Sequence, residues 1–199
     1  MQFVDFAPVK LVFGPGRLEA LRTEPLPGTR ALLLTSNGRS MERIGALARV
    51  TAILEERGVA VVHMGVVEPN PTVSTVMKVA ARMKDERCDF LVALGGGSVM
   101  DGCKGICVVA ANPGHDVEGN EIAGDIWDYA MGGTAKGLPI PNDPLPLVCV
   151  TTTAGTGSEV DAGAVLSCEE TDEKLRLGNP RLFPSLSVVD PELMLTVPS

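Results

Sequence analysis

A run of three glycines, set between a strand-like apolar stretch and a helix-like one, constrains this chain most. Residues 89–94 are mostly apolar, Gly95, Gly96 and Gly97 follow, and the pattern Gly-Gly-Gly-Ser-x-x-Asp-x-x-Lys ends at Lys104. Glycines bring bare N–H groups close to a ligand, and the N-terminus of a helix favours anions. The run indicates either a diphosphate-binding turn or an ordinary tight turn between strand and helix.

The glycine run fits neither of the two best-known nucleotide-binding patterns. It lacks the third glycine of G-x-G-x-x-G, and it lacks the Gly-Lys-Ser/Thr ending of a P-loop. Ser98, Asp101 and Lys104 recur at a spacing of three, which places them near one face of the following helix.

Strand and helix patterns alternate on both sides of the glycines. Strands are predicted over residues 31–35, 59–64, 89–94 and 147–150, and helices over 41–57, 72–87 and from the glycines to near Ala111. Gly58 suits a helix C-cap, and Thr72 suits an N-cap. This order predicts an α/β fold with a doubly wound, mostly parallel, Rossmann-like sheet that binds ligands beyond the carboxyl ends of its strands.

The flanking segments have weaker patterns. Residues 2–13, with Phe3 and Phe6, predict a strand or hairpin, and we expect the main sheet to begin at residue 31. Residues 112–146 predict a long irregular segment with one short helix near 125–129. Two further strands are expected at the end of the chain, over 160–168 and 186–189, with a polar turn over 169–173.

A cluster of hydroxyls and glycines follows the strand predicted at 147–150. Residues 151–159 read Thr-Thr-Thr-Ala-Gly-Thr-Gly-Ser-Glu. Such a segment can offer several donors to phosphate and ribose oxygens. A turn that satisfies its own backbone has the same composition, so both interpretations stay open.

Composition excludes several classes of protein. The 199 residues, 45% of them hydrophobic, suit one large domain or two small ones. A net charge of −8 with scattered basic residues argues against nucleic-acid or membrane partners. No apolar run approaches the roughly 20 residues of a membrane span and no signal peptide is evident, so a cytoplasmic location is expected.

Cys103 and Cys107 share a helical face and are either metal thiolates or small buried hydrophobes.

Five motifs, in this order and spacing, resemble the iron-containing (group III) alcohol dehydrogenases. They are Phe-Gly-x-Gly at 13–16, Pro-Asn-Pro-Thr at 69–72, the glycine motif at 95–104, Thr-Thr-Ala-Gly-Thr-Gly-Ser-Glu at 152–159 and Asp-Pro at 190–191. Residues 125–129 are similar to the butanol-dehydrogenase branch. The resemblance implies that residues 1–199 are the N-terminal dinucleotide-binding domain of a two-domain protein, and we expect the helical metal-binding domain to be absent from this chain.

The resemblance also implies which residues hold the cofactor, NADP or NAD. Gly97 and Ser98 would bind its diphosphate, Asp101 would lie near its nicotinamide side, and Lys104 would support the turn. The other implied contacts are Gly96, Asn70, Thr152, Thr153, Thr156 and, near a ribose, Lys174. From the residues alone, Asn70 could instead shape a Pro-x-Pro turn, and Lys174 could be a solvated hairpin charge.

The family's metal ligands, an aspartate and three histidines, begin beyond the Asp-Pro motif. We therefore expect neither a metal ligand nor a catalytic residue in this chain, with iron or zinc bound only by the complete enzyme. His63 and His115 lie in the wrong places to replace those ligands.

Ser36 departs from a feature of the NAD-selective members. They often place an aspartate at this position, where it accepts from the ribose 2′-hydroxyl and repels a 2′-phosphate. With Asn37, Gly38 and Arg39 beside it, Ser36 favours NADP by the charge logic of dinucleotide selection.

The sequence thus favours the nucleotide-binding half of a metal-dependent NAD(P) alcohol dehydrogenase, which interconverts alcohols with aldehydes or ketones. A stand-alone dinucleotide-binding module is the alternative, and a continuation of the gene into Gly-x-Asp-x-x-x-His would decide between them. An ATP-dependent phosphotransferase is a third hypothesis, but Mg²⁺-binding carboxylates are not evident. An apolar face left for the second domain predicts self-association, as a homo-oligomer.

Overall fold

Six parallel strands form the main sheet of this chain. The computed structural model describes residues 7–115, 121–122 and 124–195, so Phe3 and Phe6 lie outside the described residues. In chain order the strands are β1 (Lys10–Phe13), β2 (Arg30–Ser36), β3 (Ala60–Val67), β4 (Phe90–Gly95), β5 (Gly114–His115), β6 (Glu121–Ile122), β7 (Leu147–Thr151), β8 (Gly163–Cys168), β9 (Glu173–Gly178) and β10 (Leu186–Val189). The main sheet has the order β1-β10-β7-β4-β2-β3, whereas β5–β6 and β8–β9 are separate antiparallel pairs.

Four α-helices accompany these strands in the described part of the chain. They are α1 (Ser40–Arg43), α2 (Ala46–Glu56), α3 (Val73–Asp85) and α4 (Gly97–Ala111). Short 3-10 helices cover Arg17–Arg22, Ile126–Tyr129, Ser158–Val160, Pro180–Leu182 and Pro191–Met194. The alternation of strand and helix confirms the predicted α/β, doubly wound and Rossmann-like fold.

The two faces of the sheet explain why its central strands are apolar throughout. Side chains of β2 alternate between two cores: Leu32 and Leu34 join the cluster under α3 and α4, whereas Ala31 and Leu33 join the cluster under α2. A strand with helices on both faces buries every side chain, and β4 and β7 are buried along their whole length. Helices on both faces therefore hold the carboxyl edge of β4 in place.

Several boundaries differ from the sequence predictions. The helix predicted over 41–57 is two helices, because Gly45 adopts a left-handed conformation (φ 72°) between α1 and α2. β3 continues to Val67, and β8 begins only at Gly163, because residues 158–160 form a 3-10 turn. β9 was not predicted, although Leu175 and Leu177 alternate with polar residues along it.

The first strand belongs to the main sheet, so the expectation that the sheet begins at residue 31 is wrong. β1 pairs in parallel with β10, with Phe13 opposite Val189. The strand lies at the edge of the sheet, where Leu11 and Phe13 stay exposed, and its residues therefore lack the continuous burial that marks a central strand.

A buried carboxylate joins the two ends of the described chain. Asp190 is 0% exposed and accepts hydrogen bonds from the backbone N–H groups of Gly16 (3.1 Å), Leu18 (2.9 Å) and Glu192 (3.1 Å). Gly16 adopts a positive φ of 68° at the start of the 3-10 helix, which brings its N–H to this carboxylate. The motifs at 13–16 and 190–191 therefore form one structural joint.

Candidate functional site

The glycine run lies at the point where the strand order reverses. From β2 the chain continues outward to β3, whereas from β4 it continues through β7 and β10 in the opposite direction. The crevice at such a switch point, beyond the carboxyl ends of the strands, is where doubly wound sheets bind ligands. β2, β4 and β7 end here at Ser36, Gly95 and Thr151.

The glycine run and the threonine-rich segment pack directly against each other. A Cβ placed on Gly96 would lie 3.1 Å from Thr153 Oγ1, and a Cβ on Gly97 would lie 2.8 Å from Thr156 Cγ2. The Thr152 N–H donates to the carbonyl of Gly95 (3.0 Å). The facing loop therefore closely approaches both Gly96 and Gly97, and at Gly97 it leaves no room for a Cβ.

The start of α4 presents free backbone donors at this contact. Gly97 and Ser98 are the first residues of the helix, and the first N–H groups of a helix have no partner within it. The helix dipole adds positive potential at the same end. The turn can therefore bind an anion such as a diphosphate.

A first cavity, of about 660 Å³, opens on the β2 side of the turn. The residues that line it are Ser36, Ser40, Met41, Arg43, Ile44, Gly95, Gly96, Thr152, Thr153 and Leu193. It contains four of the ten residues that the sequence assigned to cofactor binding: Ser36, Gly96, Thr152 and Thr153. Its lining carries one ionisable side chain, that of Arg43, and no carboxylate.

A second cavity, of about 370 Å³, opens on the other side of the turn. It contains the remaining six predicted residues, which are Asn70, Gly97, Ser98, Asp101, Thr156 and Lys174. Ser158, Asp161 and Arg176 line it as well. All ten predicted residues thus lie in one of two cavities separated by the glycine turn.

The second cavity is bridged by polar contacts between distant segments. Asn70 has a positive φ of 60°, its N–H donates to Ser98 Oγ (3.3 Å), and its side-chain oxygen accepts from Lys174 Nζ (2.7 Å). Lys174 lies on β9, which pairs with β8, and the Ser167 N–H of β8 donates to the carbonyl of Pro71 (3.0 Å). The β8–β9 hairpin is therefore fastened to the loop before α3.

Asp101 and Lys104 reach from α4 to the facing segment. Asp101 accepts from Ser158 Oγ (2.7 Å) and from the Val165 N–H (3.0 Å). Lys104 is 1% exposed, forms an ion pair with Asp161 and donates to Ser158 Oγ (3.1 Å) and the carbonyl of Gly163 (2.6 Å). Ser98, Asp101 and Lys104 do share one face of the helix, as predicted.

The role implied for Lys104 needs a correction. Its ammonium group contacts residues between 158 and 163 rather than the glycine turn. Because a buried ammonium is costly without acceptors, these contacts fix the segment that forms one wall of the second cavity. Lys104 thus supports the site through the facing loop.

Arg39 does not line the first cavity, contrary to its predicted role beside Ser36. Its side chain is 84% exposed and forms an ion pair with Glu42 (2.8 Å). The hydrogen bond that Arg39 donates to Glu42 raises the pKa of Arg39 above its usual value, so the guanidinium stays charged and paired with that carboxylate. Arg43, one helical turn further on, lines the cavity instead.

The cysteines and His63 are placed as structural groups. Burial raises the pKa of Cys149 to about 12 and also raises the pKa values of Cys103 and Cys107, all of which lie in the core. Burial lowers the pKa of His63, whose Nε2 lies 3.0 Å from Thr35 Oγ1 on the neighbouring strand. Among the described residues, no group of three or more His, Cys, Asp or Glu side chains is arranged to hold a metal ion.

No helix within residues 7–115, 121–122 and 124–195 is both long and apolar enough to cross a membrane.

The sequence did not identify Ser40, Arg43, Ser158, Asp161 or Arg176 as part of either cavity. Ser158 lies within the hydroxyl-rich motif at 152–159, so the same motif could have identified it. Arg43 and Arg176 became recognisable only once the helix break and β9 were known.

The parallel sheet, its switch point and the flanking helices make this a Rossmann-like α/β domain. Residues 8–191 match the model of the iron-containing alcohol dehydrogenases. The chain belongs to that family.

Two curated relatives differ in the cofactor that their names give. The probable NADH-dependent butanol dehydrogenase 1 of Bacillus subtilis is 41% identical over 98% of this chain and 47% of its own length. The NADPH-dependent aldehyde reductase YqhD of Escherichia coli is 34% identical over 96% of this chain and 46% of its own length. The chain thus spans about half the length of these curated relatives.

A solved structure shows the same fold along the whole chain. It is that of the archaeal halo-thermophilic Red Sea brine pool alcohol dehydrogenase ADH/D1 bound to NZQ, with a TM-score of 0.86 and 40% identity. The match covers 100% of this chain and 48% of that protein. The similarity to the butanol dehydrogenase of B. subtilis agrees with the expected branch of the family.

Proposed function

We propose that this chain is the dinucleotide-binding half of an NAD(P)-dependent, metal-dependent alcohol dehydrogenase. The observation that carries the proposal is the glycine turn, whose free N–H groups lie between two polar cavities at the switch point of the sheet. A dinucleotide consists of two nucleosides joined by a diphosphate, so one anion-binding turn between two cavities matches its three parts.

The residues present fit such a cofactor. Gly96 and Gly97 have no Cβ at the turn, and Ser98 adds a hydroxyl, so these three residues would hold the diphosphate. Ser36 ends the strand next to β4, where Rossmann-like domains contact the adenosine ribose, and we assign the first cavity to the adenosine half.

The second cavity is assigned to the nicotinamide half. Lys174 would contact its ribose, and the Asn70 side chain orients the Lys174 ammonium by accepting from it at 2.7 Å. Asp101 would lie near the nicotinamide, and its two hydrogen bonds to Ser158 and Val165 hold that carboxylate in one orientation. A nicotinamide cofactor, when bound, supplies the acceptor or donor of a hydride.

The family's metal does not fit the described residues, which offer no cluster of ligands for it. We propose that iron or zinc, and with it the alcohol or aldehyde substrate, is bound outside them, in a helical domain of the complete enzyme. We expect this chain alone to bind cofactor without oxidising an alcohol. Self-association into a homo-oligomer stays a prediction, favoured by the exposed Leu11, Phe13 and Leu195.

A titration of the purified chain with NADH and NADPH tests the proposal, read by cofactor fluorescence and by thermal unfolding. Saturation at about 100 times Kd stabilises the native state by about 2.7 kcal/mol. For a chain of this length that raises Tm by about 5–11 °C. Mg²⁺–ATP is titrated in parallel.

A matched pair of variants locates the binding. Thr152→Val removes the hydroxyl of a residue that lines the first cavity, and we expect it to weaken binding by about fivefold. Thr51→Val makes the same change on α2, outside both cavities, and leaves affinity unchanged. A shift with Mg²⁺–ATP but with neither dinucleotide would contradict the proposal and support a phosphotransferase. Cofactor binding by a gene product that ends at this chain would favour the stand-alone module.

A further inference from the structure

We propose that Arg43 selects a cofactor that carries a 2′-phosphate, NADPH, over one that carries a 2′-hydroxyl, NADH. The inference rests on the proposed function, because it requires the adenosine ribose to lie in the first cavity. It names a residue that the sequence did not identify and replaces Arg39 in that role.

The charge of the first cavity supports the inference. Rossmann-like sites that prefer NADH place a carboxylate where it accepts from the ribose 2′-hydroxyl. The lining of this cavity contains no Asp or Glu, and its one ionisable side chain is a guanidinium. A 2′-phosphate would therefore meet a cation and no opposing anion.

The hydroxyls beside Arg43 add neutral donors. Ser36 ends β2 and Ser40 begins α1, and both line the cavity together with Arg43. Serine hydroxyls can donate to phosphate oxygens, and an arginine can bind two of those oxygens at once. Serine and arginine side chains together form a suitable set for a dianionic phosphate.

Arg43 is available, whereas Arg39 is not. No hydrogen bond or ion pair joins the Arg43 side chain to any residue that the structure describes. Glu42 is paired with Arg39 at 2.8 Å, and Glu19 is paired with Arg22 and Arg49. The Arg43 guanidinium is the cation that can reach a ligand in this cavity without first breaking an ion pair.

The experiment compares NADPH and NADH affinities for the purified chain and two variants. Arg43→Gln removes the charge that lines the cavity, and Arg39→Gln removes the neighbouring charge that does not. We expect Arg43→Gln to weaken NADPH binding by about ten- to a hundredfold and to change NADH binding by less than about twofold. Arg39→Gln leaves both affinities within about twofold of the parent protein.

Two further measurements sharpen the comparison. The preference for NADPH falls as salt is raised, because an accessible charge pair is screened. Ser36→Asp places an anion against the phosphate and reverses the preference towards NADH. Thermal unfolding without cofactor verifies that each substitution leaves the fold intact.

Three results would overturn the inference while leaving the proposed function in place. They are equal NADPH and NADH affinities in the parent chain, an equal loss of both affinities in Arg43→Gln, and a selective loss of NADPH binding in Arg39→Gln alone. Binding of neither cofactor would instead overturn the proposed function, and the inference with it.

Discussion

Substitution of Gly97 by alanine tests the contact on which the whole site depends. The new Cβ would lie 2.8 Å from Thr156 Cγ2 and 3.0 Å from both Thr156 Cβ and Oγ1. These atoms belong to a short branched side chain, whose Oγ1 also accepts from the Ser158 N–H (3.3 Å). The clash therefore cannot be relieved by swinging a flexible side chain away, and the facing loop must move.

The expected loss of stability follows from two opposing effects. Overpacking by one methyl group costs about 1–3 kcal/mol when backbone has to shift. Alanine recovers up to about 1 kcal/mol relative to glycine in a helix, and less at the first helical position. We expect the free energy of unfolding to fall by about 1–2 kcal/mol, and Tm to fall by about 2–8 °C.

Urea unfolding of a double-mutant cycle measures this contact directly. Thr156→Ser removes the methyl group at 2.8 Å and keeps the hydroxyl that accepts from Ser158, so it relieves part of the clash. We expect Gly97→Ala to cost about 1 kcal/mol less in the Thr156→Ser background. Gly38→Ala is the control, because its Cβ meets nothing closer than Ser36 Oγ at 3.9 Å. Coupling below about 0.5 kcal/mol would refute the argument that the two motifs are in rigid contact.

Two other substitutions test carboxylates that organise the fold. Asp190→Ala leaves three backbone N–H groups without their acceptor in a buried site. We expect the free energy of unfolding, measured in urea, to fall by about 3–5 kcal/mol. A loss below about 1 kcal/mol would show that the fold does not need the joint. Asp89 accepts from the backbone of Thr29 and Arg30; burial raises its pKa, but these hydrogen bonds outweigh that effect and hold the pKa below 3.8. The Asp89 carboxylate should therefore add about 2 kcal/mol to the free energy of unfolding at pH 7, relative to Asp89→Asn. This stabilisation declines as pH falls below about 3.8 towards the lowered pKa of the native state. A stability difference that grew in acid would contradict this sign.

The central part of the fold could be predicted because its sequence signals are local. Continuous apolar runs predict strands covered on both faces, and Thr72 caps α3 by accepting from the Thr75 N–H (3.2 Å). The edge strand β1 was misplaced because its partner β10 lies more than 170 residues away in sequence, and no local pattern records that pairing. The break at Gly45 was missed because a glycine within an apolar periodic segment does not by itself reveal a positive φ.

The candidate site divides into residues that a motif can reveal and residues that only packing can reveal. Gly97 and Thr156 each belong to a motif, and only the structure shows that the two residues are in contact. Arg39 was the natural choice beside Ser36 because the two are close in sequence. The structure favours Arg43 because Arg39 is paired with Glu42, whereas Arg43, one helical turn further on, lines the cavity.

The five family motifs thus have two different physical origins. The motifs at 13–16 and 190–191 meet through Asp190 and form a joint that lies outside the lining of both cavities. The motifs at 69–72, 95–104 and 152–159 supply residues to the two cavities, and hydrogen bonds join Asn70 to Ser98 and Asp101 to Ser158. The three central motifs are therefore the ones whose presence supports dinucleotide binding, and substitutions in the joint should alter stability before they alter cofactor preference.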